Sequence, residues 1–193
     1  NKSGNASLRW GEGLLITPTG RAYDRLQPED IVHLDAEGGC RPRQLIPSSE
    51  WRFHVDILRA FPAMNAVVHV HSTHATALAC LGEGIPAFHY MVAVGGGDRI
   101  PCADYATFGT AKLSDNILRA MANGLHACLM ANHGQVTTGK TLAEAYALAE
   151  EVENLARQYM LARTLGATKN LSKEEMDAVL EKFKTYGQQH RGH

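Results

Sequence analysis

Residues Ala66-Val67-Val68-His69-Val70-His71-Ser72-Thr73-His74 decide how the chain is organised. The run is apolar up to Val70 and reads as a short buried strand that turns into a helix over 74–81, closed by Gly82. Side chains alternate along a strand, so His69 and His71 project to one side while Val68 and Val70 project to the other. Two such imidazoles at a strand end are a bidentate platform for a borderline-soft cation such as zinc, or else an ordinary polar strand face. The metal alternative gains from a third histidine, His133, after another apolar run in Met130-Ala131-Asn132-His133-Gly134, and from a carboxylate, Glu50, upstream.

Working outward, Leu14-Leu15-Ile16-Thr17 reads as a strand ending in the turn Pro18-Thr19-Gly20, and Ile31-Val32-His33-Leu34-Asp35 as another. Ser48-Ser49 reads as the N-cap of a helix with the apolar stripe Trp51, Val55, Leu58 and Phe61, stopped by Pro62. Residues 85–105 carry two prolines and Gly95-Gly96-Gly97 without a helical period. They read as strand fragments and loops, the glycine run as a flexible loop without nucleotide-binding spacing. A helix is expected over 109–122, a buried strand at Ala127-Cys128-Leu129-Met130, and the longest helix over 141–165. Its buried side is marked by Leu142, Ala145, Ala149, Val152, Ala156 and Tyr159. Ser172-Lys173-Glu174-Glu175 fits a capping box opening a last helix with the stripe Met176, Val179, Leu180 and Phe183. Short strands interleaved with helices give an α/β layered fold. Strands that follow one another without a crossover helix each time make a largely antiparallel sheet the expectation.

The chain has 193 residues, enough for one domain with a real core, and 1–193 is read as a single domain. Lys and Arg number 19 against 20 Asp and Glu, so no basic face is implied and neither nucleic acid nor an acidic membrane is the default partner. No apolar run approaches the roughly 20 residues of a membrane helix, and no signal peptide opens the chain. Asn1-Lys2-Ser3-Gly4-Asn5 reads like the middle of something, with an N-terminal helix expected before it. Cys40, Cys80, Cys102 and Cys128 lack C-x-x-C spacing. Cys80 and Cys128 sit in apolar runs and read as small core residues, favouring a reduced, cytoplasmic compartment.

Three segments are rich in small hydroxyls, amides and glycine: Ser3-Gly4-Asn5-Ala6-Ser7, Thr17-Pro18-Thr19-Gly20 and Ser48-Ser49-Glu50. A phosphate needs several short donors and closely approaching backbone N–H groups, and a helix start adds its own. Each segment alone is ordinary turn chemistry. Together, beside His69 and His71, they would make an anion site that Glu50 joins to the metal platform.

These motifs, with Ile85-Pro86-Ala87-Phe88-His89-Tyr90-Met91, Tyr105-Ala106-Thr107-Phe108-Gly109-Thr110 and Asn132-His133-Gly134, resemble the class II aldolase/adducin family over essentially the whole chain. The resemblance implies a three-layer α/β sandwich, with the central sheet between helices, and a homotetramer with active sites between subunits. It also implies a Zn2+ ion on His69, His71 and His133, with Glu50 as fourth ligand or catalytic acid/base. Asn5, Thr19, Gly20, Ser48 and Ser49 would cradle the phosphate of a small phosphorylated sugar, with Phe108 as a pocket wall. Tyr90 would reach in from a neighbouring subunit as a proton donor and Tyr186 would close over the site. The implied reaction is retro-aldol cleavage of a ketose 1-phosphate. Phosphopentose 4-epimerases, with aspartate at the Glu50 position, and phosphosugar decarboxylases or dehydratases of the family stay open. So does a non-catalytic adducin-like module, which would lack the metal set. One departure is Glu150, where the family's aldolase carries histidine, outside the ligand set. His89 reads as a residue behind the site or a structural one, His74 as a polar helix start, and His54, His126, His190 and His193 as surface or structural.

Overall fold

The computed structural model describes residues 3–185. Seven strands form one mixed sheet flanked by helices: β1 (Asn5–Trp10), β2 (Gly13–Ile16), β3 (Val32–Leu34), β4 (Ala66–Val70), β5 (Cys102–Ala103), β6 (Ala127–Met130) and β7 (Gly134–Gly139). Their order is β3-β2-β1-β4-β7-β6-β5, and every pairing is antiparallel except β5 with β6. The helices are α1 (Trp51–Ala60), α2 (Thr73–Cys80), α3 (Ala111–Ala120), α4 (Leu142–Leu165) and α5 (Lys173–Phe183).

The alternation predicted for β4 divides the core. Val67 points to the side of α1 and α3, where it packs with Leu14, Ile16, Phe53, Ile57, Leu113 and Ile117. Ala66, Val68 and Val70 point to the other side, against Ala145 and Ala149 of α4. A separate cluster joins α2, α4 and α5 through Leu78, Leu155 and Met176. Central β4 is thus covered on both faces, and only its far end is free to present polar groups.

Two strands carry no apolar signature. In β1, Asn5 and Ser7 are buried where a core strand would place aliphatics. In β7, Gln135 and Thr137 are buried, and their side chains donate to α4 carbonyls, Gln135 Nε2 to Ala149 O at 3.0 Å and Thr137 Oγ1 to Ala145 O at 2.7 Å. Thr137 is buried at little cost in this way, whereas Gln135 keeps its Oε1 buried without a hydrogen-bond partner among the described residues.

The sequence expectations need five corrections. Ser48-Ser49 does not cap α1; the N-cap is Glu50, and the Ser48 hydroxyl accepts instead from the Glu50 N–H at 3.3 Å. Cys80 is exposed at the end of α2, unlike buried Cys128, because the apolar run around it lies on a helix with an outer face. Leu142 is exposed in the first turn of α4, beyond the reach of the sheet. Residues 85–105 hold a 3-10 helix at Tyr90–Gly95 as well as β5. The glycine run closes that helix, with Gly96 in the left-handed region at φ 86°. The Ser172–Glu175 capping box forms as predicted.

Candidate metal and anion site

The end of β4, the turn between β6 and β7, and the start of α1 meet at one point. Asn132 takes a left-handed φ of 55° there, and the His133 N–H closes the turn on Met130 O at 3.0 Å. That turn brings His133 against His69 of β4 and His71 just beyond its end. The ring centroids of His69, His71 and His133 stand 4.8 to 5.0 Å apart in pairs, all near edge-to-face. Gly134 permits this approach, since a Cβ on it would lie 2.6 Å from Val70 O and 2.9 Å from His71 Cδ2.

Proton bookkeeping defines what the cluster can hold. His69 is fully buried, and its Nδ1 donates to the backbone carbonyl of Gln135 at 2.8 Å. With Nδ1 committed to that carbonyl, Nε2 is the ring atom left to face the cluster. It lies 3.0 Å from His71 Nε2 and 3.3 Å from Glu50 Oε2. Burial pushes the His133 imidazole down to about 4, with repulsion from His69 adding to it, and lowers His71 in the same way. Neutral imidazoles are the state a metal needs.

Glu50 follows the opposite logic. Burial would raise it, but the hydrogen bond and charge of His69, the charge of His133 and the Asn5 amide outweigh burial and hold it at about 2. Its Oε1 sits 3.2 Å from His133 Nε2 yet accepts no hydrogen bond among the described residues, and its Oε2 accepts from Asn5 Nδ2 at 2.9 Å. Three imidazole nitrogens and a carboxylate oxygen converging on one point are a donor set that fits a cation. The three histidine ligand atoms lie within 4.8 Å of one another, so the cluster can bind a metal ion.

The three hydroxyl- and glycine-rich segments come together beside it. A cavity of about 210 Å³ is lined by Asn5, Thr19, Gly20, Ser48, Ser49 and Glu50, and by His71, His133 and Phe108. Backbone bonds from Thr19 N to Ile46 O and from Ser48 N to Thr17 O lash the second segment to the third. The Tyr23 hydroxyl donates to Gly4 O at 2.6 Å and ties in the first. Asn5 stands opposite His69 in the β1–β4 register, which joins the cavity lining to the histidine cluster through the sheet. Tyr90 does not line this cavity; it is half-exposed on the 3-10 helix. Tyr186 lies outside the described residues.

The sequence reading passed over four supports. Gln135 fixes the His69 tautomer. His54 is fully buried rather than on the surface and binds Ser7 and Asn5. Glu153 of α4 accepts from the backbone N–H groups of His74 and Ala75 and from His74 Nδ1, pinning the start of α2 just after His71. Tyr23 is the fourth. Spacing offered one signal: His54 follows the N-cap Glu50 by four residues, about one helical turn into α1.

Residues 1–160 match the model of the Class II Aldolase and Adducin N-terminal domain. The chain belongs to this family. It is 55% identical over 186 residues to the 5-methylthioribulose-1-phosphate/5-deoxyribulose-1-phosphate aldolase of Rhodospirillum rubrum, covering 96% of this chain and 83% of that protein. It is 48% identical over 188 residues to the L-fuculose phosphate aldolase of Escherichia coli strain K12, covering 96% and 86%. A solved structure of an L-fuculose 1-phosphate aldolase superimposes with a TM-score of 0.91 at 39% identity, covering 95% of this chain and 86% of that one. The family's fold is therefore the fold found here, the α/β sandwich expected from the sequence. No described helix is long and apolar enough to cross a membrane.

Proposed function

We propose that this protein is a zinc-dependent class II aldolase. Its substrate is a ketose 1-phosphate, L-fuculose 1-phosphate or a close relative such as 5-deoxyribulose 1-phosphate, and its products are dihydroxyacetone phosphate and an aldehyde. One observation carries the reading: a three-histidine cluster adjoins Glu50, and two of its members, His71 and His133, line with Glu50 the same small cavity as a set of hydroxyl, amide and glycine donors. A substrate with an oxygen pair at one end and a phosphate at the other matches that division. The relatives named for three such phosphosugars support it.

In this reading His69, His71 and His133 hold the zinc, with Glu50 as a fourth ligand that also serves as acid/base. The ion supplies a Lewis acid for charge that develops on the carbonyl oxygen. Asn5, Thr19, Gly20, Ser48 and Ser49 bind the phosphate and fix the distance from it to the reacting carbons. Glu50, ionised in the free site, would take up a proton from solvent once substrate oxygens displace it and deliver that proton to the carbon beside the ketone. Tyr90 of a second copy in a homotetramer takes the proton from the hydroxyl beyond the scissile bond, consistent with its half-exposed place away from the cavity. Phe108 walls the aldehyde end, and Tyr186 closes over the bound substrate. A cytoplasmic location agrees with four free thiols.

The test is turnover of purified protein on a panel of ketose 1-phosphates, with dihydroxyacetone phosphate and the aldehyde both measured. Release of both from at least one substrate is expected. Epimerised substrate without dihydroxyacetone phosphate, or carbon dioxide release from an acid analogue alone, would replace the aldolase with a sister activity. No turnover and no bound metal would leave the adducin-like module.

A further inference from the structure

His54 belongs neither to the histidine cluster nor to the cavity wall, yet it is fully buried in the first turn of α1, four residues after its N-cap Glu50. Its Nδ1 lies 2.7 Å from Ser7 Oγ and its Nε2 2.5 Å from Asn5 Oδ1. The other end of the Asn5 amide, Nδ2, lies 2.9 Å from Glu50 Oε2. Partner chemistry decides every proton in this row. Asn5 turns its NH2 to Glu50, donating Nδ2–H to Oε2. Asn5 Oδ1 then faces His54 and can only accept, so His54 Nε2 carries the hydrogen. Burial keeps the ring neutral, which leaves Nδ1 bare and the Ser7 hydroxyl as its donor.

We propose that His54 is a positioning residue that holds the Asn5 amide with its NH2 toward Glu50 and the anion cavity. The proposal rests on the phosphate role given to that cavity. With the opposite tautomer, or with no donor at position 54, Asn5 is free to swing its carbonyl oxygen toward Glu50 and the cavity. Lone pairs would then face a carboxylate and an incoming phosphate. With His54 in place, Asn5 Nδ2 spends one hydrogen on Glu50 and keeps the second for the anion. The row thus converts a buried imidazole into a fixed donor at the mouth of the cavity. Asn5 is paired with His69 in the sheet, so that donor is registered to the metal cluster as well.

Two measurements test this. Imidazole nitrogen shifts of the wild-type protein report the tautomer directly; a protonated Nε2 with a bare Nδ1 on His54 is expected, and a protonated Nδ1 would overturn the proposal. The second is binding of inorganic phosphate to zinc-loaded protein, with metal content and melting temperature measured on the same samples. His54→Gln offers an amide N–H toward Asn5 and a carbonyl toward Ser7, and should bind phosphate within about threefold of wild type. His54→Leu fills the space without a donor and should weaken binding by about tenfold or more at unchanged metal content. Equal affinity for all three proteins, or equal loss in both variants, would reduce His54 to packing and overturn the proposal. Should His54→Leu not fold, the nitrogen shifts and His54→Gln still decide. Wild-type protein that binds no phosphate would remove the cradle from the proposed function, while the nitrogen shifts judge the His54 tautomer independently.

Discussion

Replacing Glu50 with glutamine tests the proposed chemistry at its centre, because the structure dictates where the amide goes. Asn5 Nδ2 donates to Glu50 Oε2 at 2.9 Å, so the glutamine oxygen must take that place. Its NH2 then falls at the Oε1 position, 3.2 Å from His133 Nε2, and donates to the lone pair the metal needs. The buried side chain keeps its volume and gains a hydrogen bond, so the fold should hold and the melting temperature should change little. The anion is lost twice over, as a ligand and as a proton carrier. General acid/base catalysis contributes about 10²- to 10⁴-fold, so turnover should fall by at least about 100-fold, roughly 3 kcal/mol of barrier. Zinc affinity should fall with it, because the new N–H occupies His133. Steady-state kinetics at saturating zinc, beside a chelator competition, separates the two losses. Wild-type turnover in Glu50→Gln would refute the role of Glu50 and leave it a structural acceptor for Asn5.

Further outcomes follow from other parts of the site. The His69→Ala/His71→Ala double variant should purify with less than about a tenth of the metal of the wild-type protein by elemental analysis, since a single remaining imidazole is no chelate; full occupancy would place the metal elsewhere. Acid should unfold the protein through His54. Its folded-state value is pushed down to about 3 by burial, so the unfolded chain binds a proton from about pH 6.5 downward while the folded chain does not. Stability is thus intact above pH 6.5 and declines toward pH 3, and urea midpoints of wild type and His54→Gln across that window should diverge as pH falls. If Tyr90 acts across subunits, Tyr90→Phe and Glu50→Gln proteins should each be nearly inactive, and mixed oligomers should regain activity on refolding together; a fully active monomer by light scattering would exclude the shared site. Truncation after Thr185 should leave metal content and melting temperature unchanged and lower turnover, and unchanged kinetics would reduce Tyr186 to a bystander.

The sequence was legible where burial is apolar and where caps have one chemistry. The histidine pair at the end of β4 and the Ser172 capping box rest on local rules and appear where expected, while the α1 stripe is met in part: Val55 and Leu58 are buried, Trp51 and Phe61 only partly, and Phe53 and Ile57 complete the buried face. Strands β1 and β7 were not legible, because their buried positions hold Asn5, Ser7, Gln135 and Thr137, whose partners lie on distant segments. The same cause hid His54 and Glu153. A polar residue bonded across more than 40 positions in sequence, as Asn5 is to Glu50 and His54 to Ser7, carries no local signature. The histidine cluster was legible because His69 lies in β4 and His71 follows the strand directly, whereas the support of His69 from Gln135 is a backbone oxygen that any residue type would provide.

The two bonds from β7 to α4 form a vernier. Gln135 and Thr137 stand two residues apart on the strand, about 6.6 Å, and their acceptors Ala149 and Ala145 stand four apart on the helix, about 6.0 Å. The spacings nearly coincide, with strand and helix running in opposite senses. Apolar contacts between a helix and a sheet tolerate sliding, but this pair of pegs does not. Advancing α4 by one residue would rotate the accepting carbonyls by about 100° and leave both pegs empty. Only one setting engages both. That setting also sends Glu153, one turn beyond Ala149, to the start of α2 behind His71. The axial position of the longest helix is therefore indexed to the strand that carries the His69 acceptor, and the cluster inherits its alignment from a scale graduated elsewhere in the molecule.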